Sequence, residues 1–220
     1  MRFEVVAFLK FGFFASALLL STDLLYSWYL RQKNRTPRLN EVNFVMSNAL
    51  PCCPHTADVE VIKKCRNPHC KAKLSRKIIE QIDSAKHLIC IAMYMFTMRH
   101  MADAIMNAKK RGVHIRIITD FSMTNDHSQI NKLQGDGIAI RIAGNGDLYM
   151  HNKYCLIDVL TGETKFKENT HPLNGVLING SMNWTTNGFE RNWENIIFTS
   201  DDHLKSEFKR SFDYIWSRCA

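Results

Sequence analysis

Residues 87–96 read HLICIAMYMF, a nearly continuous apolar run. A strand with that pattern must be covered on both faces, so it predicts the centre of a sheet with helices packed on each side. The flanks agree. Residues 72–86 carry Leu74, Ile78, Ile79 and Ile82 at helical spacing. Residues 99–111 predict a helix that ends at Gly112, and VHIRIITD predicts the next strand. A helix around 126–134 ends at Gly135, and IAIRIA (138–143) predicts a third strand. The order βαβαβ predicts a largely parallel sheet over this half. Further strands are predicted at 41–47, 151–158, 175–180 and 192–199, and an amphipathic helix at 201–218 closes the chain. Its stripe is Leu204, Phe208, Phe212, Ile215 and Trp216. Residues 160–174 read as a polar excursion.

The apolar residues are unevenly spread. Within residues 5–30 the only charges are Lys10 and Asp23, and Arg31, Lys33, Arg35 and Arg38 follow at once. About 20 apolar residues span a bilayer. Trp28, Tyr26 and Tyr29 fall where an interfacial belt would lie. The segment is read as a single N-terminal anchor, with residues 1–31 as anchor and flank and 32–220 as one domain. The basic flank places that domain in the cytosol. A cleaved signal peptide and a buried helix are the competing readings. The chain carries a net charge of +8 over 220 residues. That points to an anionic partner, whether nucleic acid, phospholipid or phosphate. Seven cysteines, an odd number, fit a reducing compartment better than a disulfide framework.

The most informative stretch is His151-Asn-Lys153-Tyr-Cys-Leu-Ile-Asp158, spaced H-x-K-x4-D. Gly180-Ser181-Met-Asn183 and Asn192-Trp-Glu194-Asn195 follow it. By strand alternation His151 and Lys153 share a face, as do Ser181 and Asn183, whereas Asp158 has the opposite parity. An imidazole, an ammonium, a hydroxyl and an amide on one sheet rim form a phosphate site. The donors neutralise non-bridging oxygens. Neutral histidine can attack phosphorus or move a proton near pH 7. Glu194 is a candidate to hold the imidazole in the needed tautomer. H-x-K-x4-D alone would arise by chance in roughly one or two chains in a hundred. With both following motifs, chance is a poor account.

These residues resemble the phospholipase D superfamily, whose motif is H-x-K-x4-D followed by G-S-x-N. Within it the chain is similar to the Zucchini/MitoPLD family, insect members in particular. EVNFVMS, IAMYMFT, RGVHIRIITD, SQINKLQGDGI, MHNKYCLID, NGSMNWT and NWENIIF carry the likeness. The 21-residue gap between Asp158 and Gly180 departs from the roughly six residues of many superfamily members.

The resemblance implies an α/β fold with a mixed sheet flanked by helices. It implies His151 as nucleophile through a phosphohistidine, Lys153 and Asn183 on the phosphoryl oxygens, and Ser181 assisting. Glu194 would orient His151, and Asp158 would give structural support. It also implies a single-strand-specific endoribonuclease leaving 5′-phosphate ends in piwi-interacting RNA biogenesis. That enzyme would sit on the cytosolic face of the mitochondrial outer membrane. Cardiolipin hydrolysis to phosphatidic acid is the first alternative, and a non-enzymatic membrane scaffold the second. The superfamily's chemistry needs two histidines, yet only His151 begins a full H-x-K-x4-D motif, and no internal repeat is visible. A two-fold homodimer is therefore expected, with both motifs facing across the interface. No metal is expected in the reaction itself.

Residues 52–70 hold Cys52, Cys53, His55, Cys65, His69 and Cys70. Four thiolate or imidazole ligands close a structural zinc site. The resemblance implies a Cys3His set. By position this is one of Cys52 or Cys53 with Cys65, His69 and Cys70, and His55 is in reserve. Free surface thiols are the competing reading. From Lys63 to Lys77 seven basic residues occur with no acidic one, among them Lys63, Lys64, Arg66, Lys71 and Lys73. They are read either as a solvated face or as a track for single-stranded RNA beside the site. An anionic membrane is the third reading of that run.

Overall fold

The computed structural model describes residues 22–27, 29, 39–46, 52–54, 57–145, 147–159 and 175–219. The chain divides into two units, Met1–Pro37 and Arg38–Ala220. In the first, residues 22–27 are helical, and no helix of the described residues is long and apolar enough to cross a membrane. The rest of the expected anchor, His55 and the polar excursion at 160–174 lie outside the described residues.

The second unit is built on seven strands: β1 (Asn40–Val45), β2 (Leu88–Met93), β3 (His114–Asp120), β4 (Ala139–Ala143), β5 (Lys153–Ile157), β6 (Val176–Gly180) and β7 (Glu194–Thr199). The helices are α1 (Val59–Lys64), α2 (Lys71–Ser84), α3 (Arg99–Lys110), α4 (Ile130–Gly135), α5 (Thr186–Glu190) and α6 (Asp202–Arg218). The strands form one sheet in the order β1-β7-β6-β5-β2-β3-β4. Every residue of β2 is buried, as its apolar run requires. Alternate residues of each strand feed two cores. Ile89, Ile91, Ile117, Cys155 and Ile178 pack beneath α2, α3 and α4. Leu88, Cys90, Ile118, Leu156 and Leu177 pack beneath Phe212 of α6.

The sheet is mixed, as the resemblance implied, and its β2, β3 and β4 half is parallel, as the βαβαβ order predicted. The β5, β6 and β7 half returns by antiparallel pairing. Two expectations need correction. The stripe of α6 differs. Leu204 is 44% exposed, and Lys205 and Lys209 are buried in its place. Their stems cover the sheet while their ammonium groups pair with Asp202 and Asp213, at 2.9 and 2.5 Å. The helix expected from 126 begins only at Ile130, and Phe121–Met123 forms a 3-10 turn before it.

The topology brings one end of several strands together. The C-terminal ends of β2, β3 and β6 meet the N-terminal ends of β5 and β7. Met93 pairs with Lys153, and Val45 with Glu194. All of the H-x-K, G-S-x-N and N-x-E-N residues therefore lie at this end.

Candidate active site

Strand β5 begins at Lys153, so His151 and Asn152 sit just ahead of it, where β2 runs out. The Tyr94 N–H donates to the Asn152 carbonyl at 2.9 Å and extends the β2–β5 pairing by one step. The Tyr94 ring then packs on the His151 imidazole, with centroids 4.6 Å apart at 57°. The Lys153 ammonium lies 5.0 Å from the centre of the same ring and donates to the His151 carbonyl at 2.8 Å. His151 and Lys153 thus share a side, as alternation predicted, with Tyr94 between them. Burial draws the Lys153 pKa below the ordinary lysine value, and the Glu194 carboxylate acts against that shift. His151 is exposed and open to a ligand.

The G-S-x-N segment forms by close approach of two chains. A side chain at Gly180 would collide with the Asn195 carbonyl. That approach lets the Ser181 N–H donate to the Asn195 carbonyl at 3.1 Å, while the Asn195 N–H donates to Ser181 Oγ at 3.1 Å. Ser181 and Asn183 lie beyond β6 in a turn, so strand alternation does not govern them. Ser181 turns to β7 and donates to Glu194. Asn183 reaches across the start of β5, where its Oδ1 accepts the Met95 N–H at 3.2 Å. That bond orients the amide and leaves its two N–H donors for a ligand. The turn is tied down by Trp184, whose carbonyl accepts the Thr97 and Met98 N–H groups and whose ring meets Phe96 edge-on at 5.3 Å.

Glu194 accepts from Ser181 and from Asn192 Nδ2, the latter at 2.8 Å. Within one chain its hydrogen bonds therefore go to these two side chains rather than to the imidazole it was expected to orient. Asp158 stands apart from the site. Its φ is +52°, and its carboxylate accepts the N–H groups of Lys86, His87 and Leu88 at 2.9, 2.8 and 2.9 Å. It joins the end of β5 to the start of β2.

Sequence reasoning missed Tyr94, which no motif marks inside its apolar run. It also missed Asp120. This buried carboxylate accepts the Met150 N–H at 2.7 Å and the Ser122 N–H at 3.0 Å, and so fastens the residue before His151 to the end of β3.

The insert gathers four thiols. The sulfur atoms of Cys52, Cys53, Cys65 and Cys70 all lie within 4.8 Å of one another. The separations are 3.2 Å for Cys53–Cys70, 3.6 Å for Cys52–Cys65 and 3.9 Å for Cys52–Cys53. A tetrahedron of thiolates about 2.3 Å from zinc has edges of about 3.8 Å. The cluster could hold a metal ion, and its spacing fits one. This differs from the expected Cys3His set, because both adjacent cysteines take part and His69 does not. Cys70 precedes α2 in an extended conformation and points inward at 2% exposure. Its neighbour His69 points the other way and is exposed. A backbone N–H at Asn67 draws the Cys65 thiol down to about 7, while burial lifts Cys53 to about 11.

The basic run is more fully engaged than its composition implied. Lys63 pairs with Glu60 at 2.8 Å, Arg76 with Glu80 at 3.0 Å, and Lys77 with Glu41. Lys73 donates to the Cys65 carbonyl at 2.6 Å, and Lys71 to the Glu190 carbonyl at 3.1 Å. Lys64 and Arg66 are exposed on the insert. Of the run, Lys71 is thus fastened beside the segment that leads from α5 to Glu194.

Residues 78–216 match the family model described as cardiolipin synthase, PLD-like domain. A Drosophila melanogaster protein named mitochondrial cardiolipin hydrolase is 40% identical over 164 residues, which is 70% of this chain and 63% of that protein. The Homo sapiens protein of the same name is 29% identical over 197 residues, 86% of this chain and 71% of that protein. NucT from Helicobacter pylori superposes with a TM-score of 0.61 at 22% identity, over 84% of this chain and 99% of that one. Nuc from Salmonella typhimurium, a phospholipase D family member, gives 0.57 at 21%, over 84% and 97%. The two solved structures share the fold.

Proposed function

The chain belongs to the phospholipase D-like family, and from that premise we propose that it cuts single-stranded RNA by a two-step displacement at phosphorus. The observation that carries the phosphodiester chemistry is that His151 and Lys153 meet at the Tyr94 ring, with the Asn183 amide held by the backbone of the next residue, Met95. His151 attacks phosphorus, and the bond to the 3′ oxygen of the upstream nucleotide breaks. Lys153 and the Asn183 N–H donors carry the charge that develops on the non-bridging oxygens. A histidine from a second copy supplies the proton to the leaving oxygen. Water then attacks the phosphohistidine, releases a 5′-phosphate end and restores the imidazole. The Ser181–Glu194 pair and Asn192 line the same rim as polar neighbours.

The lining of the site is polar, and the chain is basic, which supports a nucleic acid over an acyl chain. The second reading is hydrolysis of cardiolipin to phosphatidic acid, and the printed names of the relatives favour it. Those names also support a mitochondrial location. The apolar stretch at 5–30 supports an anchor and the basic flank a domain on the cytosolic side, so the mitochondrial membrane proposed is the outer one. Zinc is the metal proposed for the four thiols, in a structural role, since all four positions would be filled by protein. An intact His151, Lys153 and Asn183 set speaks against a scaffold without activity.

The test compares full-length protein and His151→Ala on labelled single-stranded RNA and on cardiolipin vesicles. Cleavage of RNA by the wild type alone, with 5′-phosphate ends, is expected. Cleavage of lipid only reverses the order of the two readings. Equal RNA cleavage by His151→Ala removes the assigned nucleophile.

A further inference from the structure

Three large aromatic side chains stand exposed at the end of the sheet that carries His151. They are Trp193 at 68%, Tyr149 at 63% and Phe121 at 57% exposure. Trp193 immediately precedes β7, and Phe121 immediately follows β3. Tyr149 lies two residues before His151, and its neighbour Met150 donates to Asp120 at the end of β3, next to Phe121. In the strand order β7-β6-β5-β2-β3, His151 leads into the middle strand. Neighbouring strands lie about 4.8 Å apart, so the backbone at Trp193 lies about 10 Å to one side of that at the nucleophile. Phe121 lies on the other side at a similar backbone distance, and Tyr149, two residues from His151, lies nearer on that side. Apolar rings on a soluble surface need a reason when they border a phosphate site.

We propose that Trp193 on one side, and Phe121 with Tyr149 on the other, are stacking surfaces for the bases on either side of the scissile phosphate. Every base has a π-face, so such platforms bind single strands without reading sequence, provided that cations track the backbone. The Trp193 side has those cations. Lys71 is held on the Glu190 carbonyl, and exposed Arg191 follows before Asn192 and Trp193. An acyl chain would instead need a continuous apolar channel. These rings form two groups, about four strand spacings apart, with the polar site between them. The inference rests on reading the substrate as single-stranded RNA.

The experiment uses full-length protein in detergent: wild type, Trp193→Ala, Phe121→Ala and Tyr149→Ala. Each is assayed on a labelled single-stranded RNA, on bis(4-nitrophenyl) phosphate, which has no bases, and on cardiolipin vesicles. Dimer content is followed by light scattering. The ratio of kcat/KM on RNA to that on the small diester should fall about tenfold for Trp193→Ala and for Phe121→Ala, mostly through KM. Trp193→Tyr should restore most of it. An unchanged ratio overturns the inference and leaves the RNA reading standing. So does a loss that follows dissociation of the dimer, which assigns the face to the second copy. A loss confined to vesicles assigns it to the membrane and also overturns it. A wild type that cleaves the small diester but no RNA removes the RNA reading, and the inference with it.

Discussion

The ring of Tyr94 lies against the imidazole of His151, 4.6 Å between centroids, and presents its face to the Lys153 ammonium at 5.0 Å. One ring thus meets both groups. Packing therefore aims the nucleophile here, since Glu194 is engaged with Ser181 and Asn192. Tyr94→Leu should lower kcat on bis(4-nitrophenyl) phosphate by about tenfold or more with little change in KM, because a slightly misplaced nucleophile loses most of its advantage. Tyr94→Phe should keep most activity. A Leu variant as fast as wild type, or a Phe variant as slow as Leu, would refute this role.

Lys153 must be charged to bind a phosphoryl oxygen, and burial lowers its pKa from the ordinary 10.5. The sign follows directly. As pH rises the ammonium is lost sooner than in a solvated lysine, so the alkaline limb of kcat/KM should fall below that value. For stability the direction is opposite. Burying the charge costs free energy at low pH, and that cost is relieved as pH rises through the lowered pKa. Lys153→Arg should reduce the maximum rate but move the alkaline limb upward, since guanidinium stays charged. A limb at the same pH in both proteins would assign it to another group.

Asp158 satisfies three consecutive backbone N–H groups at the start of β2. Asp158→Ala strands those donors and places alanine at a positive φ. Unfolding in urea should show a loss of about 3 kcal/mol. Asp158→Asn should lose less, because asparagine keeps one acceptor and tolerates that backbone. Activity per folded molecule should survive in the Asn protein. Wild-type stability together with lost activity would return Asp158 to the chemistry.

One metal ion per chain is expected, held by the four thiols. Cys70→Ser should lose it and melt lower, while His69→Ala should bind it as wild type does. Metal content by atomic absorption reads both. Loss of metal in His69→Ala would restore the Cys3His set.

If each active centre needs a histidine from both copies, His151→Ala subunits poison the wild type. An equal mixture, exchanged to equilibrium, should retain about a quarter of the activity, the share of dimers with two intact motifs. Retention of about one half would show that each chain works alone.

The legible parts of this protein were those set by local pattern. The run at 87–96 announced a strand covered on both faces, and the spacing of Leu74, Ile78 and Ile82 announced α2. His151, Lys153 and Asn183 were visible because the chemistry demands those side chains and they stand in two short motifs. The parallel half of the sheet was legible from its βαβ order, but that patterning ends at β4, and nothing local states which edge the next strand will join. Leu204 was misread because periodicity does not see that lysine stems can cover a sheet when their ends find carboxylates.

By itself the sequence determined the chemistry available: one H-x-K-x4-D motif, one G-S-x-N turn and a cluster of thiols within nineteen residues. Only the tertiary structure decided which of these groups meet. It joined Tyr94 to His151, turned Ser181 toward Glu194, and chose Cys52 and Cys53 together over His69. The reason is physical. Side-chain identity is written residue by residue, whereas partnership depends on strand order and on which way a backbone turns. Those are settled by burying two faces of one sheet at once.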